Sequence, residues 1–489
     1  MNVRTRMAPS PTGEYHIGGM RTLLYNYAQA KKEGGQFILR IEDTDRERLV
    51  EGATDRSIQV IRDYGLDWDE GPLVEGPYAP YVQSKRLEIY RKYARQLIDS
   101  GHAYYCFCTK ERLDKLREEQ RAQGVSSTKY DKYCLRLSKE EVQKKLDGCE
   151  EYVIRLNVPK NEEVSFDDKI LGHISFPTND LDDQVLIKSD GFPTYHLAVV
   201  VDDYLMKINY IMRGMEWLPS TPKHILLYKA FGWELPIYAH LPLLKEQGDT
   251  KKLSKRMGSV AAVEFLAEGY LPQALLNFLM FLGWNPGGEK EIYTMAEFIK
   301  EFSIERIHKT DLIVFDRQKL LWMNGYYIRN MSDGELMDAL TKWGEKFNVE
   351  LNGSGKPEKY NLKVLSLIKD RMKKLSEFNA LTEYFYKLST PEKDLLISYT
   401  KDAARALEIL STFYGEYKSI DEKDWNLTSL ETLHQKILSE EKYLPKEAFM
   451  SVRVAVTGLT ATPSLVEILE LLGKEETVSR IEKSISVLR

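Results

Sequence analysis

Four cysteines in 489 residues cannot supply the disulfide framework of a small secreted fold, so a reducing compartment suits the chain and a small metal site is worth testing. The common phosphate-loop signatures are missing as well. Neither a Walker A sequence nor G-x-G-x-x-G occurs anywhere, which excludes the two most frequent nucleotide motifs. No apolar run approaches the roughly 20 residues that cross a bilayer, since the stretch from Ala274 to Trp284 is interrupted by Asn277. Met1 to Arg6 lead into Pro9, Pro11 and Gly13 without an apolar core for a signal peptide, so the cytoplasm is the expected location. Neither sign of charge dominates. With 69 Lys and Arg against 74 Asp and Glu, a formal charge of -5 leaves no global basic field, and an RNA or nucleotide site has to be a local patch. Internal repeats and extended low-complexity stretches are absent too.

What is present reads as a globular protein of three or four domains, 43% hydrophobic and 29% charged. The first stretch has the pattern of a β–α–β unit. Val3 to Ala8 is a buried strand, Gly19 to Lys32 a helix closing at Gly34-Gly35, and Phe37 to Ile41 a second strand, with Pro9, Pro11 and Gly13 forcing a loop between. From about Leu87 to Asp190 the chain turns to charged helices, turns and short strands such as Tyr152 to Leu156, an insertion that holds the cysteine pairs. Alternation resumes at Thr194 to Asp202, followed by a strand at Ile208 to Met212 and a helix from about Ser220 to Phe231. This predicts a nucleotide-binding α/β domain split in sequence. Beyond about Tyr326 the chain reads as nearly all helix, with a Lys-rich helix near Leu362 to Leu375 and a final amphipathic segment from Pro463 to Leu488.

Two features carry chemistry. Between the first strand and helix, His16-Ile17-Gly18-Gly19 puts a histidine and two glycines at the mouth of a helix. Unpaired N–H groups and the positive dipole end would face an anion there, and the missing Cβ atoms admit a base or phosphate. Far along the chain, Lys251-Lys252-Leu253-Ser254-Lys255-Arg256 packs four cations into a loop between Gly248 and Gly258. Such mutual repulsion is relieved by an anionic ligand, for which a polyphosphate is a good candidate. Each has an ordinary alternative: a satisfied histidine beside a Gly-rich turn, and a solvated surface loop.

Taken together, His16-Ile17-Gly18-Gly19 and Lys252-Leu253-Ser254-Lys255-Arg256 resemble the two signatures of class I aminoacyl-tRNA synthetases. Arg6 to Gly13 (RMAPSPTG), Arg40 to Asp45 (RIEDTD), Pro193 to Ala198 (PTYHLA) and Trp322 to Gly325 (WMNG) are similar more specifically to the bacterial glutamyl-tRNA synthetases. The resemblance runs nearly the whole length. It implies a split Rossmann-like α/β catalytic domain (1–86 and 195–240) with an α+β acceptor-binding insertion (87–194). A stem-contact region carrying the KLSKR loop (241–326) and two all-α anticodon-binding domains (327–385 and 386–489) would follow. The implied activity is activation of L-glutamate by ATP with Mg²⁺, then transfer to tRNA(Glu). A relative that charges tRNA(Gln), or both, has the same active site, and a non-catalytic RNA-binding paralogue is the alternative of another class. A monomer is the family's default state.

By the same resemblance His16, Lys252 and Lys255 are catalytic, and ATP is held by His16, Gly18, Gly19, Lys252, Ser254 and Lys255. Glutamate is held by Arg6, Ala8, Ser10, Glu42, Tyr195 and Arg213. A planar guanidinium grips a carboxylate through parallel bonds, whereas a glutamine amide turns an N–H donor towards it. Two positions depart from the family: Val199 stands where an Asn is common, and Met215 where an acidic residue commonly precedes Glu216-Trp217. Some members bind zinc in the insertion through Cys-x-Cys and a later Tyr-x-x-x-Cys, which Cys106, Cys108, Tyr130 and Cys134 match; ordinary reduced cysteines are the alternative. Arg136, where a His is sometimes found, cannot ligate, and Cys149 stands apart. Arg371 and Arg453 occupy positions suited to reading splayed anticodon bases.

Overall fold

The structure, a computed structural model, describes residues 2–125, 127–249, 253, 259–387, 390–441 and 443–489. It divides into two compact units, Met1–Phe265 with Pro272–Arg317, and Leu266–Leu271 with Gln318–Arg489.

In the first unit β1 (Arg4–Met7) and β2 (Gln36–Leu39) pair in parallel, joined by helix α1 (Ile17–Lys32). α1 buries Leu23, Leu24, Ala28 and Ala30, and it ends on Lys31 and Lys32, whose charges suit the negative end of the helix dipole. The return into β2 admits only glycine at Gly35, because a Cβ there would lie 1.9 Å from the Val3 carbonyl oxygen. The helix begins two residues earlier than its sequence pattern suggests, because His16 serves as its N-cap.

β3 (Ala103–Cys106), β4 (Val153–Leu156) and β7 (Val185–Ile187) form an antiparallel sheet in the inserted stretch. The same stretch also contributes a hairpin, β5 (Glu163–Asp168) and β6 (Gly172–Pro177), to a larger sheet. There β8 (Tyr210–Gly214) and β9 (Ile237–Leu241) run parallel around the helix Thr221–Phe231, and β5 joins β9 at Asp168 and Tyr238, giving the order β6-β5-β9-β8. β10 (Leu243–Glu246) pairs in parallel with β11 (Leu312–Phe315).

The stretch Thr194 to Asp202, to which the sequence pattern assigned no particular element, forms most of the helix Tyr195–Leu205. Leu197 to Val201 are all buried in one core with Ile211, Leu227 and Tyr238. Five consecutive buried apolar residues spread around the helix and remove the amphipathic period that would have revealed it.

The second unit contains no strand among the described residues. Its helices include Asp333–Phe347, Glu358–Ile368, Phe378–Tyr386, Ala403–Ser419, Pro445–Thr457, Leu465–Leu472 and Lys474–Leu488. Ala406, Leu410, Phe413, Val452, Leu469 and Ile485 are among the side chains of its apolar core. The Lys-rich segment is shorter as a helix than expected: it ends at Ile368, Lys369–Arg371 form one tighter turn, and Met372 is extended. The last segment is two helices rather than one, broken at Gly473 with φ of 82°. No described helix is long and apolar enough to cross a membrane.

Candidate active site

The loop between β1 and α1 lies along one side of a cavity of about 430 Å³. Arg6, Ala8, Ser10, His16, Gly18, Gly19, Glu42, Tyr195 and Arg213 all line it, together with Leu253 from the Lys-rich loop. Lys252, Ser254 and Lys255 lie outside the described residues. Leu253 itself is buried, and its N–H donates to the Leu244 carbonyl at 2.6 Å.

One end of the cavity is built by the helix cap. The Gly18 N–H donates to Nδ1 of His16 at 2.9 Å, which makes Nδ1 the unprotonated nitrogen and puts the proton of the neutral ring on Nε2. A Cβ on Gly18 would stand 3.1 Å from that same Nδ1, so a side chain would push against the ring that caps the helix. The His16 main chain bridges to Ala261, and the Ile17 N–H donates to Val260 O at 2.8 Å, which ties the helix mouth to the chain just beyond the Lys-rich loop.

The opposite wall is charged and buried. Arg6 donates from Nε and Nη2 to the two carboxylate oxygens of Asp203, at 3.2 and 3.3 Å. Arg40, fully buried, reaches Asp203 at 2.8 Å, Glu42 at 2.9 Å and Asp202 at 3.9 Å, and Arg86 pairs with Asp202 at 2.8 Å. Three guanidinium groups thus face three carboxylates. Burial alone would raise Asp203, but Arg6 and Arg40 outweigh it and hold the carboxyl below its ordinary value. Glu42 goes the other way: burial raises it, and the pull of Arg40 only partly compensates. The Glu42 N–H donates to Pro9 O at 3.0 Å, which fixes the first loop against this wall.

Arg213 differs from its neighbours. Among the described residues no carboxylate pairs with it, and its N–H groups go to neutral acceptors: Tyr195 Oη at 3.1 Å, His240 Nε2 at 3.1 Å, His224 Nδ1 at 3.3 Å, Thr221 Oγ1 at 2.7 Å and Trp217 O at 3.4 Å. Arg213 lines the cavity, and among the described residues no carboxylate is in direct contact with it.

A second cluster sits apart in the inserted stretch. The sulfurs of Cys106, Cys108 and Cys134 lie within 4.8 Å of one another, and the Tyr130 hydroxyl is 3.2 Å from Cys108 Sγ. Cys108 and Cys134 sulfurs are 3.5 Å apart, near the roughly 3.8 Å that two thiolates keep on one zinc ion with 2.3 Å bonds. A hydrogen bond from Cys134 holds the Cys106 thiol down at about 4. Arg112 Nη1 reaches Cys108 Sγ at 3.3 Å and Arg155 lies over the Tyr130 ring at 4.4 Å, so two cations stand beside the sulfurs. The donors fit a tetrahedral metal. Cys149 is exposed and outside the cluster.

The family model for class I tRNA synthetases (E and Q), catalytic domain, matches residues 2–322, and an anticodon binding domain model matches residues 335–485. This chain belongs to the class I tRNA synthetases of the glutamate and glutamine group. As a member of that family it is a ligase. A glutamate–tRNA ligase of Clostridioides difficile is 44% identical over 495 residues, covering 98% of each chain. One of Alkaliphilus metalliredigens is 42% identical over 490 residues, also covering 98% of each. Among solved structures, a glutamate tRNA ligase from Elizabethkingia meningosepticum in complex with its amino acid superposes with a TM-score of 0.89, at 35% identity and 100% of both chains.

In the anticodon-binding region of this synthetase, Arg371 is exposed on the turn after Ile368, and Arg453 is half-buried, donating to the carbonyl of Pro463 at 2.7 Å. Burial lowers Arg453 and the neighbouring charge of Arg371 lowers it further, while Tyr384 acts in the opposite direction. Of the departures from the family pattern, Val199 is buried in the apolar core and Met215 opens a short turn, and neither lines the cavity.

Sequence reasoning missed Asp203, which pairs with Arg6, His224 and His240, which accept from Arg213, and Asp168, which holds His240; these contacts are between residues that local patterns do not connect. It also missed Arg21, which lines the cavity and donates to Pro242 O at 2.6 Å. Only Arg21 carried a local signal, three residues beyond Gly18 on the same helix.

Proposed function

We propose that this synthetase activates L-glutamate with ATP and transfers it to tRNA(Glu). One observation carries the reading: a single cavity joins the His16–Gly19 helix mouth, Leu253 of the Lys-rich loop and Arg213, which among the described residues has no carboxylate partner. In the first step a glutamate α-carboxylate oxygen attacks the α-phosphorus of ATP and the bond to the β-phosphate oxygen breaks, releasing pyrophosphate. In the second a terminal ribose hydroxyl of the tRNA attacks the adenylate carbonyl, and AMP leaves.

No covalent enzyme nucleophile is needed, so catalysis rests on positioning and charge stabilisation. His16 faces the phosphates, Gly18 and Gly19 leave room for the adenosine, and Lys252, Ser254 and Lys255 neutralise the departing pyrophosphate. Mg²⁺ enters with ATP as part of that substrate. Arg213 and Tyr195 hold the side-chain carboxylate. Arg6, Glu42, Ala8 and Ser10 surround the amino-acid backbone, with the buried acids facing its ammonium group. Cys106, Cys108, Tyr130 and Cys134 hold one structural Zn²⁺.

The regions divide the work. Residues 1–86 and 195–240 carry the chemistry and 87–194 hold the acceptor end. Residues 241–326 contact the stem, while 327–385 and 386–489, with Arg371 and Arg453, read the anticodon. The protein works as a cytoplasmic monomer. Aminoacylation with separated tRNA(Glu) and tRNA(Gln) tests the reading: glutamate should be joined to tRNA(Glu) in an ATP-dependent reaction. Charging of both tRNAs would favour the broader specificity, and charging of neither refutes the proposal. Lys255→Ala should slow adenylate formation by about 10²–10³, measured as glutamate-dependent pyrophosphate exchange with tRNA present.

A further inference from the structure

Arg213 is held in an unusual way for a buried cation. Arg6, Arg40 and Arg86 each contact a carboxylate directly, whereas Arg213 reaches one only through an imidazole. Its Nε donates to His240 Nε2 at 3.1 Å, and His240 Nδ1 lies 2.7 Å from Asp168 Oδ2. A guanidinium can only donate, so His240 Nε2 must present a lone pair, and the ring proton must sit on Nδ1 and point at Asp168. The same logic fixes His224, which accepts from Arg213 through Nδ1 and turns Nε2 towards His196 Nδ1 at 3.1 Å. Burial, reinforced in His224 by Arg213 itself, keeps both rings neutral.

Asp168 is in turn fixed by three further contacts. Its carboxylate accepts the N–H groups of Ile170 at 2.9 Å, Leu171 at 3.0 Å and His240 at 3.0 Å as well as the imidazole. It comes from the end of β5, the inserted strand that joins the catalytic sheet beside β9, two positions before His240. A carboxylate in direct contact would neutralise the guanidinium. One interposed neutral ring orients it and leaves its charge for an incoming anion.

We infer that Asp168 and His240 are positioning residues that aim Arg213 at the amino-acid side chain and preserve its preference for a carboxylate over an amide. The inference rests on the reading of Arg213 as the side-chain holder. In chemical terms, an inserted hairpin with no contact to the substrate sets the specificity of a site two residues' links away, through Asp168, His240 and then Arg213.

Steady-state aminoacylation by the full chain tests it with four proteins: wild type, Arg213→Ala, His240→Asn and His240→Gln. Asparagine keeps an N–H near the Nδ1 position for Asp168 but removes the acceptor for Arg213. Glutamine places a carbonyl near the Nε2 position and keeps that acceptor. The expected result is a rise of about ten-fold in the glutamate KM for His240→Asn, the usual worth of one charge-assisted hydrogen bond. The KM for ATP should be unchanged, and His240→Gln should recover most of the loss. If Arg213→Ala raises the glutamate KM and His240→Asn does not, the inference falls and the site reading stands. If Arg213→Ala leaves it unchanged, both fall. Equal loss of kcat and of affinity for every substrate in both His240 variants marks a merely structural role and also overturns it. Asp168→Asn keeps the shape but weakens the grip on Nδ1–H, so a rise of a few-fold in the glutamate KM alone is expected. It decides the matter if a His240 variant fails to fold, and a wild-type KM in it then overturns the inference.

Discussion

The buried charge wall can be tested by neutralising its centre. In Asp203→Asn, Arg6 loses its carboxylate partner, since among the described residues Asp203 is the acidic group within ion-pair distance of it. Arg40 keeps Glu42 at 2.9 Å and Asp202 at 3.9 Å. The amide retains one acceptor oxygen but turns an NH₂ towards guanidinium groups that can only donate. Removing one partner of a buried pair costs about 3–5 kcal/mol because the other charge is left uncompensated. Most of that should come from Arg6, which is buried with 4% exposure.

A double substitution, Arg6→Met with Asp203→Asn, removes the orphaned charge and should recover at least about 2 kcal/mol of the loss. Hydrogen exchange read by mass spectrometry on β1 and on the helix Tyr195–Leu205 measures the opening free energy locally, without assuming that the two units unfold together. A loss below about 1 kcal/mol in Asp203→Asn, or strict additivity in the double variant, would refute the claim that Asp203 holds this wall together.

Other expectations follow from the same geometry. His196 is held near 3 by burial, and His224 and His240 are also lowered by burial, so the fold keeps them neutral while the unfolded chain protonates them near 6.5. Their contribution is fully present above pH 6.5 and is lost as pH falls from there towards the folded values, at up to about 1.4 kcal/mol per pH unit for each ring. Urea titrations between pH 7.5 and 5 check this, and a flat profile for the first unit would count against it. Gly18→Ala should cut glutamate-dependent pyrophosphate exchange by about 10-fold or more, because the new methyl meets His16 Nδ1 at 3.1 Å; unaltered exchange would show that the cap tolerates a side chain. Cys134→Ser should drop zinc, near one equivalent in the wild type by elemental analysis, to well under half, with the inserted stretch losing protection against proteolysis. Less than about a tenth equivalent in chelator-free wild-type protein would leave reduced cysteines as the reading.

Local patterns made much of this legible. The β1–α1–β2 unit could be read because loop prolines, a helical period and Gly34-Gly35 all lie within some forty consecutive residues. The cysteine cluster was legible from spacing, since Cys106, Cys108, Tyr130 and Cys134 are separated by short segments that a turn and a helix can fold back. The helix Tyr195–Leu205 was not legible as a helix because its five consecutive apolar residues, Leu197 to Val201, are all buried, which erases the amphipathic period. The Lys-rich helix was drawn too long because Met372 and Leu375, both buried, continue the apolar spacing after the backbone has left the helix.

By itself the sequence determined which chemical groups are available and the family they mark: a His-Gly-Gly helix mouth, a cationic loop, and arginines with a tyrosine suited to a carboxylate. Only the tertiary structure decided how those charges are shared out. Arg6 and Arg213 look alike as residues, yet one is joined to Asp203 from nearly two hundred positions away and the other meets neutral imidazoles. Electrostatic environment is a property of neighbours in space, and β5 packing beside β9 is what brings Asp168 to His240 and leaves the charge of Arg213 facing the cavity.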